Sequence, residues 1–222
     1  KRFPTVYSQC LKAGFDPTQQ PIPVSPGAHY MMGGIETDLS CRTSIKGLYA
    51  CGEAGSNGMH GANRLASNSI PEALVTGSLG AKSVLEDSRK AGPPERPFKP
   101  QYDREPYTRS ELRLENWENI GLVREERKME RHLSKLRQGT LIVPESASLG
   151  SLELANMYTV TSIITMSSLE RKESRGSHMR TDYQAKDAIW GNLRVHTKAK
   201  LDGKHLEIEV GTSKKDGYSW NS

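Results

Sequence analysis

The chain is poor in the features that usually announce a fold. Its three cysteines, Cys10, Cys41 and Cys51, are odd in number and lack Cys-x-x-Cys spacing. That excludes a disulfide framework and a zinc knuckle, and it fits reduced thiols in a cytoplasm. No metal site is expected. No run of eighteen apolar residues occurs, so no transmembrane helix is expected, and the mean hydropathy of −0.65 is polar even for a soluble protein. Charge of one sign is missing too, since 31 Lys and Arg stand against 26 Asp and Glu. The densest charged run, residues 124–137, alternates Arg124, Glu125, Glu126, Arg127, Lys128, Glu130 and Arg131. That is a solvated helix face rather than a phosphate-tracking patch, so no nucleic-acid partner is expected. Residues 1–10 hold no apolar core followed by a small-residue cleavage site, so no secretory signal is read there. An opening in amphipathic sequence without an initiator Met reads as a piece of a longer chain. A Gly-x-Gly-x-x-Gly dinucleotide loop is also absent, because Gly52, Gly55, Gly58 and Gly61 recur every third residue and do not fit it.

What is present falls into clear segments. Phe3, Val6, Tyr7, Cys10 and Leu11 share one face of a helix over residues 3–13, with Gly14 as its stop. A proline-broken stretch (Pro17, Pro21, Pro23, Pro26) precedes a strand-like segment over residues 28–35, interrupted by Gly33-Gly34. A polar turn leads to a short apolar strand over residues 47–51 and then to a Gly- and Asn-rich loop over residues 52–68. Ser69-Ile70-Pro71-Glu72 reads as a capping box that opens a helix, with Ala73, Leu74, Gly77, Ala81, Val84 and Leu85 as its packing face. Five prolines between residues 91 and 106 mark a linker or surface strap. Three helical patterns follow: residues 109–119 with Leu112, Leu114 and Trp117; residues 122–137 with Met129, Leu133 and Leu136; and a buried central helix over residues 152–173. Alternation at Leu193, Val195, Thr197 and at Leu206, Ile208, Val210, with Asp202-Gly203 between, reads as a hairpin.

The chemistry lies between residues 23 and 74. Gly47-Leu-Tyr-Ala-Cys-Gly-Glu53 ends an apolar strand on a carboxylate, and the adjacent glycines let a backbone approach closely. His60-Gly-Ala-Asn-Arg64 holds an arginine in a short turn, and the helix start at Ser69 and Ile70 aims free N–H groups and a positive dipole end forward. Together these describe a site for a polar, partly anionic ligand. Taken one at a time they are ordinary: His29 is a loop histidine, Arg64 a surface arginine, Glu53 a strand-end acid.

In combination they are not. His29-Tyr30 with Gly33-Gly34, then Gly47-Leu-Tyr-Ala-Cys-Gly-Glu53, then His60-Gly-Ala-Asn-Arg-Leu-Ala-Ser-Asn-Ser69 resemble the L-aspartate oxidase, succinate dehydrogenase and fumarate reductase flavoprotein family. Glu173-Ser-Arg-Gly-Ser-His178 with Arg180, Asp182 and Tyr183 resembles that family's second signature. Gly176-Ser-His-Met179 coincides with a common cloning scar, but it falls in frame inside that signature and reads as native. The resemblance covers roughly residues 1–190. Arg-Leu-Ala-Ser-Asn-Ser is closer to the aspartate oxidases, since the dehydrogenase branch tends to carry Gly-Gly where Ala66 and Ser67 stand. The resemblance implies FAD as cofactor, with Glu53 on its ribityl part and Ser69 and Ile70 at the isoalloxazine ring. It implies His29 and Arg64 on the carboxylates of aspartate or a C4 dicarboxylate. His60 is read as holding the Arg64 turn, Arg175 and His178 as packing near a domain interface, the cysteines as inert, and Trp190 as a pin for the tail.

The expected fold class is α+β: the C-terminal part of an FAD-binding α/β domain, then a three-helix domain and a hairpin-like tail. The expected divisions are a remnant of a capping domain (1–24), the end of the FAD-binding domain (25–92), a linker (93–107), the helical domain (108–175) and an extended tail (176–222). The family's proton-shuttling arginine is expected upstream of this sequence, so no catalytic residue is assigned here. Three readings stand side by side. The first is part of a cytoplasmic L-aspartate oxidase that forms iminoaspartate for NAD biosynthesis and passes electrons to oxygen or fumarate. The second is a succinate dehydrogenase or fumarate reductase flavoprotein, peripheral at the inner membrane, with an iron–sulfur partner subunit. The third is a non-catalytic fragment, or one half of a split enzyme that needs an N-terminal partner half.

Overall fold

The computed structural model describes residues 2–88, 107–137, 148–202 and 205–214. Nearly all of the expected linker, and Gly203 of the hairpin turn, lie outside the described residues. The first helix, α1 (Pro4–Lys12), starts on a proline whose missing N–H costs nothing there. It ends as expected at Gly14, at φ +84°. The Gly14 N–H bonds the Leu11 carbonyl and the Phe15 N–H bonds the Cys10 carbonyl, the paired closure that a left-handed residue permits. The apolar face of α1 is exposed at Phe3, Val6, Tyr7 and Leu11.

Two strand expectations shrink. Of residues 28–35 only the end pairs, where β1 (Ile35–Glu36) runs parallel to β2 (Gly55–Ser56). Gly33 and Gly34 hold left-handed backbone at φ +109° and +142°. A Cβ on Gly34 would lie 2.6 Å from the Ala54 carbonyl oxygen, so only glycine lets these segments meet. Residues 47–51 make one antiparallel bridge, Arg42 to Tyr49, before a single 3₁₀ turn at Gly52–Ala54. One facing pair leaves a segment extended without making it a ladder.

The next helix, α2 (Ser69–Ser88), forms where expected, but its details are corrected. Ser69 is already helical, one position inside a cap, and Glu72 accepts from Asn57 Nδ2 at 3.3 Å. The inward face is Glu72, Thr76, Gly80 and Ser83, while Leu74 and Leu85, expected inside, are 70% and 65% exposed. The cause lies in what the helix packs on, a loop over residues 38–52 with few strand bonds of its own. Thr76 Oγ1 accepts the Gly52 N–H at 3.1 Å and Ser83 Oγ donates to the Ser40 carbonyl at 2.8 Å. Cys41 is buried beneath the helix, its Sγ donating to the Thr76 carbonyl. Buried backbone groups must find partners, so hydroxyls face the loop and aliphatic side chains face out.

The helical domain comprises α3 (Arg109–Ile120), α4 (Glu126–Leu136) and α5 (Leu149–Glu170). Thr108 and Glu111 form a reciprocal capping box at the start of α3. The core is Leu112, Leu136, Leu154 and Tyr158, with Tyr107 and Met157 packed against it and Met129 and Leu133 also buried. Leu114 and Trp117, expected beside Leu112, are 59% and 50% exposed. Helix α4 begins at Glu126 rather than at residue 122 because the preceding chain has another partner. The Arg124 N–H bonds the Met179 carbonyl, and its own carbonyl accepts the Thr181 N–H, each at 2.9 Å. That removes Arg124 from the solvated face to which its alternating neighbours belong. The tail is the expected antiparallel hairpin, β3 (Leu193–Asp202) with β4 (His205–Lys214), in register from Leu193 opposite Lys214 to Asp202 opposite His205.

The core assignment has a direct check. Leu112→Ala is expected to destabilise the helical domain by about 3 kcal/mol in chemical denaturation, the cost of a cavity at a fully buried leucine. Leu114→Ala should stay within about 0.5 kcal/mol. Equal losses would place Leu114 in the core.

Candidate functional site

The loop after β2 is built from short turns. The Gly61 N–H bonds the Gly58 carbonyl, the Asn63 N–H bonds the His60 carbonyl, and the Asn68 N–H bonds the Leu65 carbonyl, each at 3.2 Å. These turns carry Arg64 onto the face of Tyr30, with the guanidinium carbon 4.5 Å from the ring centroid. A cation over an aromatic face is attracted by the ring's negative centre. The same Tyr30 meets His60 edge to face at 5.4 Å, with its hydroxyl 3.4 Å from His60 Nε2. His60 therefore supports the Arg64 turn, as its sequence context suggested. Arg64 Nη1 reaches the Leu65 carbonyl at 3.4 Å, while its Nε is buried without a hydrogen-bond partner among the described residues.

Glu53 sits on the 3₁₀ turn, exposed, and its Oε1 accepts the Met31 N–H at 2.9 Å. That bond ties residues 29–31 to the turn, so Glu53, Tyr30, His60 and Arg64 come together through direct contacts. His29 lies in the same segment, exposed and without a hydrogen bond among the described residues. Ser69 is half-buried and Ile70 is 71% exposed at the start of α2. Two neighbours escaped the sequence reading. Tyr30, which supports Arg64, was signalled only by its place beside His29. Glu72 is buried, with Oε1 on Asn57 and Oε2 without a hydrogen-bond partner among the described residues, and its capping-box position masked that role. Burial pushes the Tyr30 hydroxyl pKa up, aided by the charges of Glu72 and Glu53 and opposed by Arg64.

The second signature forms a charged knot behind this loop. Glu173 is fully buried; its Oε1 accepts from Arg171 at 2.6 Å and Arg175 at 2.8 Å, and its Oε2 accepts the Asp187 N–H at 3.0 Å. Burial alone would raise its pKa, but those three donors hold it down to about 2. Arg180, also buried, grips Asp182 through two bonds of 2.7 and 2.6 Å and donates to the Ser168 carbonyl at the end of α5. Arg180 holds the Asp182 carboxyl at about 2. His178 accepts from Arg124 Nη1 at 2.8 Å through Nδ1 and donates through Nε2 to the Arg171 carbonyl at 3.1 Å. Burial, reinforced by Arg124, Arg180 and Arg171, pushes it down to about 4. The expected pin is also present, with Arg171 over the Trp190 ring at 5.2 Å and donating to the Trp190 carbonyl. Among the described residues no cluster of His, Cys, Asp and Glu could hold a metal, and no helix is long and apolar enough to cross a membrane.

The site is thus a glycine-rich loop running into the N-terminus of α2, with three further helices and a hairpin behind it. Residues 1–70 match the FAD binding domain family and residues 144–216 match the fumarate reductase flavoprotein C-terminal family. The chain is 40% identical over 190 residues to the L-aspartate oxidase of Rhodospirillum rubrum, covering 83% of this chain and 66% of that protein. It is 42% identical over 182 residues to the L-aspartate oxidase of Pyrococcus abyssi, covering 82% and 36%. Among solved structures, E. coli quinol fumarate reductase FrdA superposes at a TM-score of 0.72 and 30% identity, covering 95% of this chain and 41% of that one. Mycobacterium smegmatis Sdh1 superposes at 0.76 and 28% identity, covering 98% and 41%. The chain belongs to the L-aspartate oxidase and succinate dehydrogenase–fumarate reductase flavoprotein family, whose cofactor is FAD. It spans between about a third and two thirds of the length of the curated relatives it matches.

The knot makes stability fall with acid in two windows. His178 has a folded pKa below its ordinary 6.5, so the unfolded state takes up the proton first. Its contribution is lost as pH falls from 6.5 to about 4, and amounts to about 3 kcal/mol. Glu173 and Asp182 stabilise above their ordinary values of 4.5 and 3.8, and that stabilisation is lost on the way down to about 2. Thermal melts across pH 7 to 3 should show both limbs, with His178→Asn flattening only the upper one. An unchanged upper limb in that variant would remove His178 from the account.

Proposed function

We propose that this chain is the C-terminal portion of an FAD-dependent L-aspartate oxidase, with the divisions at 1–24, 25–92, 93–107, 108–175 and 176–222 as given above. The observation that carries the reading is Arg64, seated on Tyr30 beside a segment tied to Glu53 and five residues ahead of α2. A planar guanidinium binds a carboxylate through two parallel bonds, and here its plane is set by an aromatic face rather than by an acid. Arg64 and His29 then hold the substrate's carboxylates.

The residues present fit the flavin half of FAD. Glu53 keeps Oε2 available for a ribityl hydroxyl, since Met31 takes Oε1. Ile70 and Leu74 offer an uncovered aliphatic wall at the start of α2, where Ser69 and Ile70 meet the ring. When bound there, FAD supplies the hydride acceptor that turns aspartate into iminoaspartate. The N–H groups and dipole of the α2 start stabilise negative charge placed before them. The family resemblance implies a proton-shuttling arginine and a dinucleotide cradle outside these residues, and on that reading the 222 residues by themselves are expected neither to turn over substrate nor to retain FAD. The relatives named L-aspartate oxidase, and Ala66-Ser67 in place of Gly-Gly, favour aspartate over succinate. The likeness to quinol fumarate reductase and Sdh1 supports the second reading, a dehydrogenase or reductase flavoprotein beside an iron–sulfur subunit.

In the complete protein, aspartate turnover well above succinate turnover is the expected outcome, and the reverse preference selects the second reading. Arg64→Lys should raise KM for the preferred dicarboxylate roughly 10- to 100-fold, the loss of a charge-assisted bidentate contact. An unchanged KM would remove Arg64 from the carboxylate site. The isolated 222-residue chain should leave gel filtration without flavin absorbance, and a yellow peak would overturn its dependence on upstream sequence.

A further inference from the structure

The Arg64 turn is fastened through the Ala62 carbonyl to the tight turn at Gly176-Ser177, just beyond the helical domain. The Ala62 carbonyl, two residues before Arg64, accepts both the Ser177 N–H at 2.9 Å and the Ser177 hydroxyl at 3.1 Å. Ser177 is placed by a two-residue turn in which Arg175 and His178 exchange backbone bonds of 2.8 and 3.0 Å. Gly176 takes the left-handed position at φ +59°, and a Cβ there would lie 2.2 Å from the same Ala62 oxygen. The turn itself is rigid: Arg175 is held by buried Glu173, and the His178 ring is held at both nitrogens by Arg124 and the Arg171 carbonyl. At the other end of the loop the Arg194 guanidinium of β3 comes close to Gly58, where a Cβ would lie 2.5 Å from it.

We propose that Ser177 is a positioning residue for the substrate-binding arginine: by fixing the Ala62 carbonyl it sets the register of the His60–Arg64 turn, and with it the fit of Arg64 to the substrate carboxylate. This rests on the reading of Arg64 as the carboxylate ligand. Ser177 touches neither Tyr30 nor Arg64 through any hydrogen bond, so it acts through backbone position alone. The Asn63 N–H to His60 carbonyl bond closes the turn internally, which means that a shift at Ala62 is carried to Arg64 rather than absorbed. The second signature thereby gains a role beyond packing its own domain.

The test uses the complete protein with its preferred dicarboxylate, aspartate or succinate, and compares Ser177→Ala, Ser177→Thr, Arg64→Lys and the Ser177→Ala/Arg64→Lys pair. Ser177→Ala is expected to raise KM about fivefold, the worth of one neutral hydrogen bond, with kcat, flavin content and melting temperature little changed. Ser177→Thr, which keeps the hydroxyl, should restore KM to within about twofold. In the Arg64→Lys background Ser177→Ala should add less than about twofold, because residues acting through one another are not additive. Equal effects of Ser177→Ala in both backgrounds, or none in the wild-type background while Arg64→Lys raises KM, would overturn the positioning role alone. Arg64→Lys without effect on KM would overturn both readings.

Discussion

Everything behind the site depends on one buried carboxylate. Glu173 is closed off from solvent and shared by Arg171, Arg175 and the Asp187 N–H, so it joins the end of α5, the turn at Gly176-Ser177 and the approach to the tail. A charge removed from water is costly unless opposite charge and hydrogen bonds replace the solvent. Here both oxygens are occupied, which is why the group stays ionised in a place that would otherwise neutralise it. The consequence is rigidity in a segment with no regular secondary structure. Residues 171–189 hold their course through side chains and a few isolated backbone bonds, not through a helix or a ladder.

The arrangement also accounts for the unusual company of Arg124. Half-buried beside Arg180 and with no ion pair among the described residues, it donates to neutral acceptors: the Ile120 carbonyl, Ser168 Oγ and His178 Nδ1. Its pKa is pushed down by burial and by Arg180. The histidine must remain unprotonated for that contact to exist, so the arginine and the imidazole fix each other's state. Glu173 is shared by Arg171 and Arg175, Asp182 pairs with Arg180, and Arg124 is met by lone pairs.

Much of this was legible in the sequence, and the reason is periodicity. Helices α1, α3, α4, α5 and the hairpin follow from apolar spacing and turn chemistry, which report local backbone preference. The candidate site was legible for a different reason. Glu53, the Arg64 turn and the Ser69 helix start lie within seventeen residues of one another, so local order alone brings them near. What failed was inward and outward assignment. The polar face of α2 is buried because its neighbour is a loop with unpaired backbone groups, and no property of α2 reveals what it will pack against. The start of α4 moved because the Arg124 backbone pairs with a segment more than fifty residues away.

The sequence by itself determined the family and the order of the elements, and it singled out the residues proposed to meet flavin and carboxylate, because those are carried by residue type and short spacing. Only the tertiary structure decided that Tyr30 supports Arg64, that Ser177 fastens Ala62 across 115 residues of chain, and that His196 of the tail pairs with Glu36 of β1 at 2.6 Å. Each is a contact between elements that are separately unremarkable. Such contacts depend on which surfaces the packing of the core brings within hydrogen-bond range, a distance that no local pattern encodes.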